Sequence, residues 1–368
     1  MKRIRYGRIA AIVAAGALAL TACGNDPVAS NSDNGGDSDQ ASNLSGKLAG
    51  AGSSAQESAM QAWIAGFGSS NPDVTISYDP AGSGAGRTQF GEGAVDFAGS
   101  DSALDEEERA TAKERCGSDA LNLPLYISPI AVIYNLEGVD DLQLTPATVA
   151  GIFDRKITKW DDPKIKADNP DAKLPGSAIT PVNRSDESGT TKNFTDYLSV
   201  TAGAAWPHEA SGDWPNKGGQ SAQGTSGVVQ TVQGGQGTIG YADFSKAGEL
   251  GVAKIKVGDA FVAPTAEGAA KVVEESPKEE GVPAGDLAIK IKRDTTTADS
   301  YPLVLVTYTI VCKKYDDSAK TDLIKAFVGF MASEDGQKAA SDAAGSAPIS
   351  DKIRSEVEST LNTLGNGS

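Results

Sequence analysis

Two uncharged apolar runs constrain the fold more than any other feature of this chain. Residues 121–136 (LNLPLYISPIAVIYNL) and 301–311 (YPLVLVTYTIV) are rich in β-branched and aromatic side chains and read as buried strands, the first broken by Pro124 and Pro129. The first carries the chain into a second lobe near residue 127, and the other returns it to the first lobe near residue 302. Two crossings make a hinge, and a cleft between hinged lobes is a natural small-ligand site. The roughly 325 residues beyond position 43 also exceed what a single core usually holds. Residues 44–126 then form the first part of lobe I, 127–301 lobe II, and 302–368 the returning part of lobe I.

Before the first crossing the sequence alternates short strands, glycine turns and helices. Residues 44–52 read as a strand entering a glycine turn, and Ser54 is placed to cap a helix whose apolar positions Ala55, Ala59, Trp63 and Phe67 recur four apart. Val74, Ile76 and Tyr78 alternate along a second strand, which ends at Gly82-Ser-Gly-Ala-Gly86 where another helix begins. Residues 95–100 make a third strand. This order predicts an α/β fold with a mostly parallel sheet covered by helices. Beyond the crossing, Thr145 caps a helix with Pro146 at its first position. A Lys- and Asp-rich surface stretch spans 156–174, with strands over 179–182 and 238–242 and helices within 186–198 and 226–232. Residues 201–224 read as a loop excursion. Helices over 321–331, with Phe327 and Phe330 on its apolar face, and over 350–364 close the chain.

Three small-residue turns stand where strands hand over to helices: residues 50–56 (GAGSSAQ), 82–86 (GSGAG) and 184–191 (RSDESGTT). Each offers hydroxyls and the N–H groups of a first helical turn, and such helix starts attract anions through their orphan donors and aligned peptide dipoles. Two in one lobe and one in the other point to a shared anion, with unrelated capping turns as the alternative. Arg184 adds a positive charge, and Asp186, two residues on, is positioned to hold the guanidinium fork; a surface ion pair is the plainer reading. Asp101 ends a predicted strand with a carboxylate where an anion site should repel one. Either it caps the helix over 105–114, or it accepts a hydrogen bond from an oxyanion that keeps a proton near neutral pH.

Catalytic readings find little support. The one histidine, His208, lies in the loop excursion, and no Gly-x-Ser-x-Gly elbow or Gly-x4-Gly-Lys-Ser/Thr loop occurs. No zinc site follows from one histidine and the thiols, and no cofactor is implied.

The N-terminus directs the chain outward. Lys2, Arg3, Arg5 and Arg8 precede an uncharged run over 9–20, too short at twelve residues for the roughly 20 that a membrane span needs, so residues 1–22 read as a secretion signal. Leu20-Thr-Ala-Cys23 resembles the lipobox of bacterial lipoproteins, which implies cleavage before Cys23 and acylation of its sulfur. Residues 24–43 have one Val, no aromatic residue and many Gly, Ser, Asn and Asp; residues 23–43 are therefore expected to serve as a lipid-anchored tether. Removing residues 1–22 leaves 29 basic against 49 acidic residues, a formal charge of −20. So acidic a chain does not seek nucleic acid, and any anion it binds must be held by local donors. With Cys23 acylated, Cys116 and Cys312 remain as a pair expected to bond in an oxidising compartment, two separately buried thiols being the alternative.

The residues at these turns resemble a known family. GAGSSAQ (50–56), YDPAGSGAG (78–86), VDFAGSDSAL (95–104), PIAVIYNLEGV (129–139), TPATVAGIFDRKITKWDDPKI (145–165), PVNRSDESGTT (181–191) and GTIGYADF (237–244) are similar to segments of the substrate-binding lipoprotein of bacterial ABC-type phosphate uptake systems. The likeness runs from about residue 48 to 350, and its most specific parts are VAGIFDRKITKW and the Arg-x-Asp-x-Ser-Gly-Thr segment. The resemblance implies a two-lobed, periplasmic-binding-protein-like fold that closes on inorganic phosphate without altering it. It implies a lipid-anchored, extracytoplasmic monomer that delivers to a membrane permease. The ligand groups implied are Ser54, the N–H of Ala55, Ser83, Asp101, Arg184, Ser188, Gly189 and Thr190, with Asp186 orienting Arg184. Ser54 stands where the family usually has threonine, Ala55-Gln56 replaces its Phe-Pro, and Gly84-Ala85 departs from its Ser-Gly. Another tetrahedral oxyanion, such as sulfate or molybdate, is the alternative ligand; a secreted phosphate-handling enzyme and a surface antigen are the more distant readings.

Overall fold

The computed structural model describes residues 44–216 and 218–365; the secretion signal, Cys23 and the tether lie outside them. Three strands, β1 (Gly46–Gly52), β2 (Val74–Asp79) and β3 (Phe97–Ser100), precede the long β4 (Ala120–Asn135), which is the first apolar run. After β5 (Gln143–Leu144) come β6 (Thr180–Arg184), β7 (Gln220–Ala222), β8 (Thr238–Asp243), β9 (Gly251–Val252), β10 (Lys254–Val257) and β11 (Ala260–Val262). The second apolar run is β12 (Val304–Cys312).

Eight strands line up in the order β2-β1-β3-β12-β4-β8-β6-β7, with β9 added beside β4. The wings are parallel, β1 with β2 and β3, β6 with β7 and β8, as the strand–turn–helix order predicts. The centre is not. β12 runs antiparallel to β3 and β4, and β4 antiparallel to β8. The reason is geometric: β4 leads out of one half-sheet and β12 leads back, so the two must point in opposite directions.

β4 serves both halves, pairing with β12 from Ala120 to Pro129 and with β8 from Ile130 to Asn135. Its prolines fall where the ladder is already interrupted. Pro124 flanks a register shift, opposite the step from Thr307 to Tyr308, and Pro129 is the last residue before β4 changes partner. A residue without an N–H is tolerated in a central strand only at such breaks.

Helices cover the sheet. They are α1 (Glu57–Ser70), α2 (Ser83–Gly91), α3 (Glu106–Cys116), α4 (Pro146–Phe153), α5 (Pro163–Asp168), α6 (Gly189–Thr201), α7 (Gly224–Gln233), α8 (Ala266–Glu275), α9 (Ser318–Ala332), α10 (Glu334–Ala344) and α11 (Asp351–Thr363). Thr145 caps α4 with Pro146 in its first turn, and α1 buries Ala59, Met60, Trp63 and Phe67. One capping expectation fails, and one of the two readings of Asp101 is excluded. The residue preceding α1 is Gln56 and makes no side-chain cap, because Ser54 turns elsewhere. Asp105, not Asp101, caps α3, through a reciprocal capping box with Glu108.

Helices α5, α8 and α10 and the small sheet β11-β10-β5 were not legible as elements in the sequence. α5 has only six residues and buries one of them, Ile165, which leaves almost no periodic signal. Cys116 and Cys312 form a disulfide with Cα atoms 5.5 Å apart, tying the end of α3 to the end of β12. Trp63, Phe67, Phe97 and Phe327 are core residues on the β1–β3 side, and Phe153, Phe194, Trp214 and Tyr241 make an aromatic cluster behind β6 and β8.

Candidate functional site

The three donor turns converge. Turn 50–56 leaves the end of β1, turn 82–86 opens α2, and turn 184–191 joins β6 to α6. Ser83 and Gly189, from opposite half-sheets, lie so close that a Cβ on Gly189 would stand 2.6 Å from Ser83 Oγ and 2.7 Å from Asp101 Cβ. Only glycine permits that approach. Gly82, at φ +106°, brings the second turn against the third: a Cβ there would be 2.5 Å from Asp186 Oδ2.

The three serines share one hydrogen-bond pattern. Ser54 Oγ accepts the N–H of Thr225 at 3.0 Å, Ser83 Oγ that of Asp101 at 3.2 Å, and Ser188 Oγ that of Thr191 at 3.2 Å. A hydroxyl whose oxygen accepts a fixed N–H directs its own hydrogen to another acceptor. Ser54 also lies 3.0 Å from the Thr225 hydroxyl. The N–H of Ala55 donates to Ser53 Oγ at 3.1 Å, so this expected ligand donor is engaged within its own turn.

Arg184 is buried, and Asp186 fixes it as the spacing predicts. Nε donates to Asp186 Oδ1 at 2.8 Å, and the adjacent NH2 bonds Oδ2. Asp186 Oδ1 also accepts the N–H of Gly224 at 3.1 Å, at the start of α7. Burial alone would raise the Asp186 carboxyl, but the Arg184 guanidinium and the Gly224 N–H outweigh it and hold it below the ordinary range. Tyr241 supports the strand from behind, accepting the Arg184 N–H at 3.3 Å and sharing a 2.7 Å contact with Thr191 Oγ1.

Asp101 is only 3% exposed. Its Oδ2 accepts from Thr190 Oγ1 at 3.0 Å and its Oδ1 from Thr307 Oγ1 at 2.9 Å. Asn193 on α6 grips the same segment, its Nδ2 donating to the carbonyls of Asp101 at 2.7 Å and Gly189 at 2.9 Å. Burial pushes the Asp101 carboxyl above its usual value, although the hydroxyls of Ser53, Thr307 and Thr190 and the charge of Arg184 pull the other way.

Ser54, Ser83, Asp101, Arg184, Asp186, Ser188, Gly189 and Thr190 thus meet at the junction of the two half-sheets. Sequence reasoning missed Gly224 and Thr225, Thr307 and Asn193. The first two form a fourth small-residue helix start (QGTS, 223–226), which straddles the end of the stretch read as a loop excursion. Thr307 carried none, since a threonine within an apolar run reads as an ordinary strand former.

His208 Nε2 lies 2.9 Å from Asp154 Oδ1 and packs edge-on to Trp206. Asp154 also accepts from Asn216 Nδ2 at 2.8 Å and pairs with Lys156 at 2.7 Å. Among the described residues no group of His, Cys, Asp and Glu could hold a metal ion.

The PBP superfamily domain matches residues 37–335. The chain is 37% identical over 379 residues to phosphate-binding protein PstS 3 of Mycobacterium tuberculosis, spanning 99% of this chain and 100% of the relative. It is 38% identical over 374 residues to phosphate-binding protein PstS2 of Mycobacterium bovis, again spanning 99% and 100%. Of solved structures, the phosphate binding protein from Stenotrophomonas maltophilia matches with a TM-score of 0.68 at 18% identity, over 86% of this chain and 94% of that one. That likeness establishes a two-lobed fold of the same kind.

Proposed function

We propose, from the premise that this chain belongs to the PBP superfamily and to its phosphate-binding proteins, that it captures inorganic phosphate outside the cytoplasm and delivers it to an ABC-type importer. One observation supports the location of the ligand above all others. The hydroxyls of Ser54, Ser83 and Ser188, each with its oxygen accepting a main-chain N–H, converge from both half-sheets on the turn that carries Arg184.

Phosphate is held there by neutral donors and one guanidinium. The helix starts at Ser83, Gly189 and Gly224 direct positive dipole ends inward, and the main-chain N–H groups of Gly189 and Thr190 add donors, the Thr190 hydroxyl being given to Asp101. Arg184 supplies the single positive charge, and Asp186 keeps its fork in register. Asp101 accepts the hydrogen of a P–OH group, which converts a repulsion between two anions into a charge-assisted hydrogen bond. Binding favours the closed arrangement of the lobes, and opening at the permease releases the ion. Such a site binds and releases without chemical change. The lone histidine is taken up by Asp154.

The anchor belongs to the same reading. Lipid on Cys23 is supported by the Leu-Thr-Ala-Cys segment and keeps the monomer near its permease through the tether. Among the described residues no helix is long and apolar enough to cross a membrane.

Titration of phosphate-stripped protein with phosphate, read by tryptophan fluorescence, tests the function. Trp214 stacks on Tyr241 with centroids 5.8 Å apart, and Tyr241 bonds the Arg184 strand, so ligand binding is coupled to an indole. A saturable one-to-one signal is expected. No response in fluorescence or calorimetry would overturn the reading.

A further inference from the structure

Arg87 and Glu187 belong to no ligand group named above, yet they meet across the cleft. Arg87, on α2, is 7% exposed and is held within its own lobe by Glu108 Oε1 at 2.6 Å, Ser100 Oγ at 2.9 Å and Ser102 Oγ at 3.0 Å. Its remaining NH2 donates to Glu187 Oε1 at 3.1 Å. Glu187 comes from the other half-sheet, in the β6–α6 turn between Asp186 and Ser188.

The carboxylate of Glu187 is seated in a slot made by two glycines. A Cβ on Gly84 would lie 1.9 Å from its Oε2, and a Cβ on Gly212 would lie 1.9 Å from its Oε1. Gly84 is in α2, in the lobe that holds Arg87, and Gly212 follows α6, on the side of Glu187. Oε2 is sealed from solvent and has no hydrogen-bond partner among the described residues. With Oε2 lacking a hydrogen-bond partner, the one ion pair that the carboxylate makes is through Oε1 to the Arg87 guanidinium. The slot therefore favours Glu187 only while Arg87 faces it.

We propose that Glu187 and Arg87 form a latch that is made only when the lobes close, and that it sets how long a bound oxyanion is retained; this rests on the phosphate reading above. Arg87 keeps Glu108 in both states, so its charge is compensated and its position fixed before closure. Glu187 is the moving half. In the open protein it is hydrated; on closure it enters the glycine slot and completes the pair. A contact present in one state alone shifts the equilibrium by its full worth.

The test uses stopped-flow release and calorimetry with inorganic phosphate on wild type, Glu187→Ala, Gly84→Ala and the double variant. Glu187→Ala is expected to raise the release rate and the dissociation constant by about tenfold, between the scale of exposed pairs and that of fully buried ones, and to leave the melting of phosphate-free protein unchanged. Gly84→Ala puts a methyl group where the carboxylate sits, so it should loosen binding by itself and add little once Glu187 is gone. Release from Glu187→Ala within about twofold of wild type, a scale set by surface pairs that contribute nothing, overturns the latch. So does a Gly84→Ala effect of equal size in both backgrounds, or an equal loss of melting temperature with and without phosphate. If wild type itself fails to bind phosphate, the functional reading falls instead.

Discussion

Replacing Asp101 with asparagine isolates the group that should separate phosphate from sulfate. Wild-type Asp101 offers two oxygens, one bonded to Thr190 and one to Thr307, each with a lone pair left for a ligand hydrogen. Phosphate near neutral pH has a P–OH to give; sulfate has none. Against a carboxylate sealed in the closed cleft, sulfate sets acceptor against acceptor. An unmet buried polar contact costs about 1–3 kcal/mol, and a hydrogen bond to a charged group contributes about 1.5–3 kcal/mol. Asparagine removes the first penalty for sulfate and weakens the second bond for phosphate. The ratio of the two affinities should therefore move by up to roughly 2.5–6 kcal/mol, or about two to four decades. The fold should persist, because one threonine hydroxyl need only turn to accept from the new NH2. Burial raises the Asp101 carboxyl, so the variant also removes an unfavourable desolvation and should melt no lower than wild type without ligand. Calorimetric titration of both anions at pH 7 and fixed ionic strength gives the ratio directly. If wild type binds sulfate nearly as well as phosphate, or the ratio is the same in the variant, Asp101 is not the selector.

Arg184→Ala should weaken phosphate binding by roughly 2–5 kcal/mol, the range for truncating one member of a buried charged pair; calorimetry showing less than about a tenfold change would place Arg184 outside the ligand's contacts. Asp243 is fully buried, accepting from Tyr126 OH at 3.1 Å and from Ser245 Oγ at 2.6 Å, and burial pushes its carboxyl up to about 6. A carboxyl raised in the folded state contributes stability that is present below its unfolded value and is lost as pH rises through about 6. Urea unfolding of phosphate-free protein should thus show Asp243→Asn gaining on wild type by roughly 2–3 kcal/mol between about pH 4.5 and pH 7.5; a constant difference would refute the shift. Cys116→Ala with Cys312→Ala opens a loop of 196 residues, and chain entropy bounds the destabilisation at about 5 kcal/mol. Denaturant titration should show a lower midpoint for that pair, and an unchanged one would mean that the disulfide restrains neither state.

Much of this protein was legible without coordinates because its strongest signals are local. The continuous apolar runs that make β4 and β12, the Thr145-Pro146 start of α4 and the three small-residue turns are all signals carried within a few residues along the chain. The pairing of Arg184 with Asp186 is of the same kind, two positions apart. Tertiary structure decided everything that depends on which segments come to lie side by side. Ser54 was predicted to cap its own helix, yet its hydroxyl meets Thr225, 171 residues away. Asp101 admits two readings from the sequence; in the fold Thr307, 206 residues away, donates to its Oδ1 and Asp105 takes the helix start. Glu187 met Arg87 across a separation of 100 residues. None of these partners has a local signature, because each contact is set by the order of strands in the sheet and by which turns that order brings together. The amino-acid sequence alone determined which residues can donate to an anion; only the fold decided which of them face the same one.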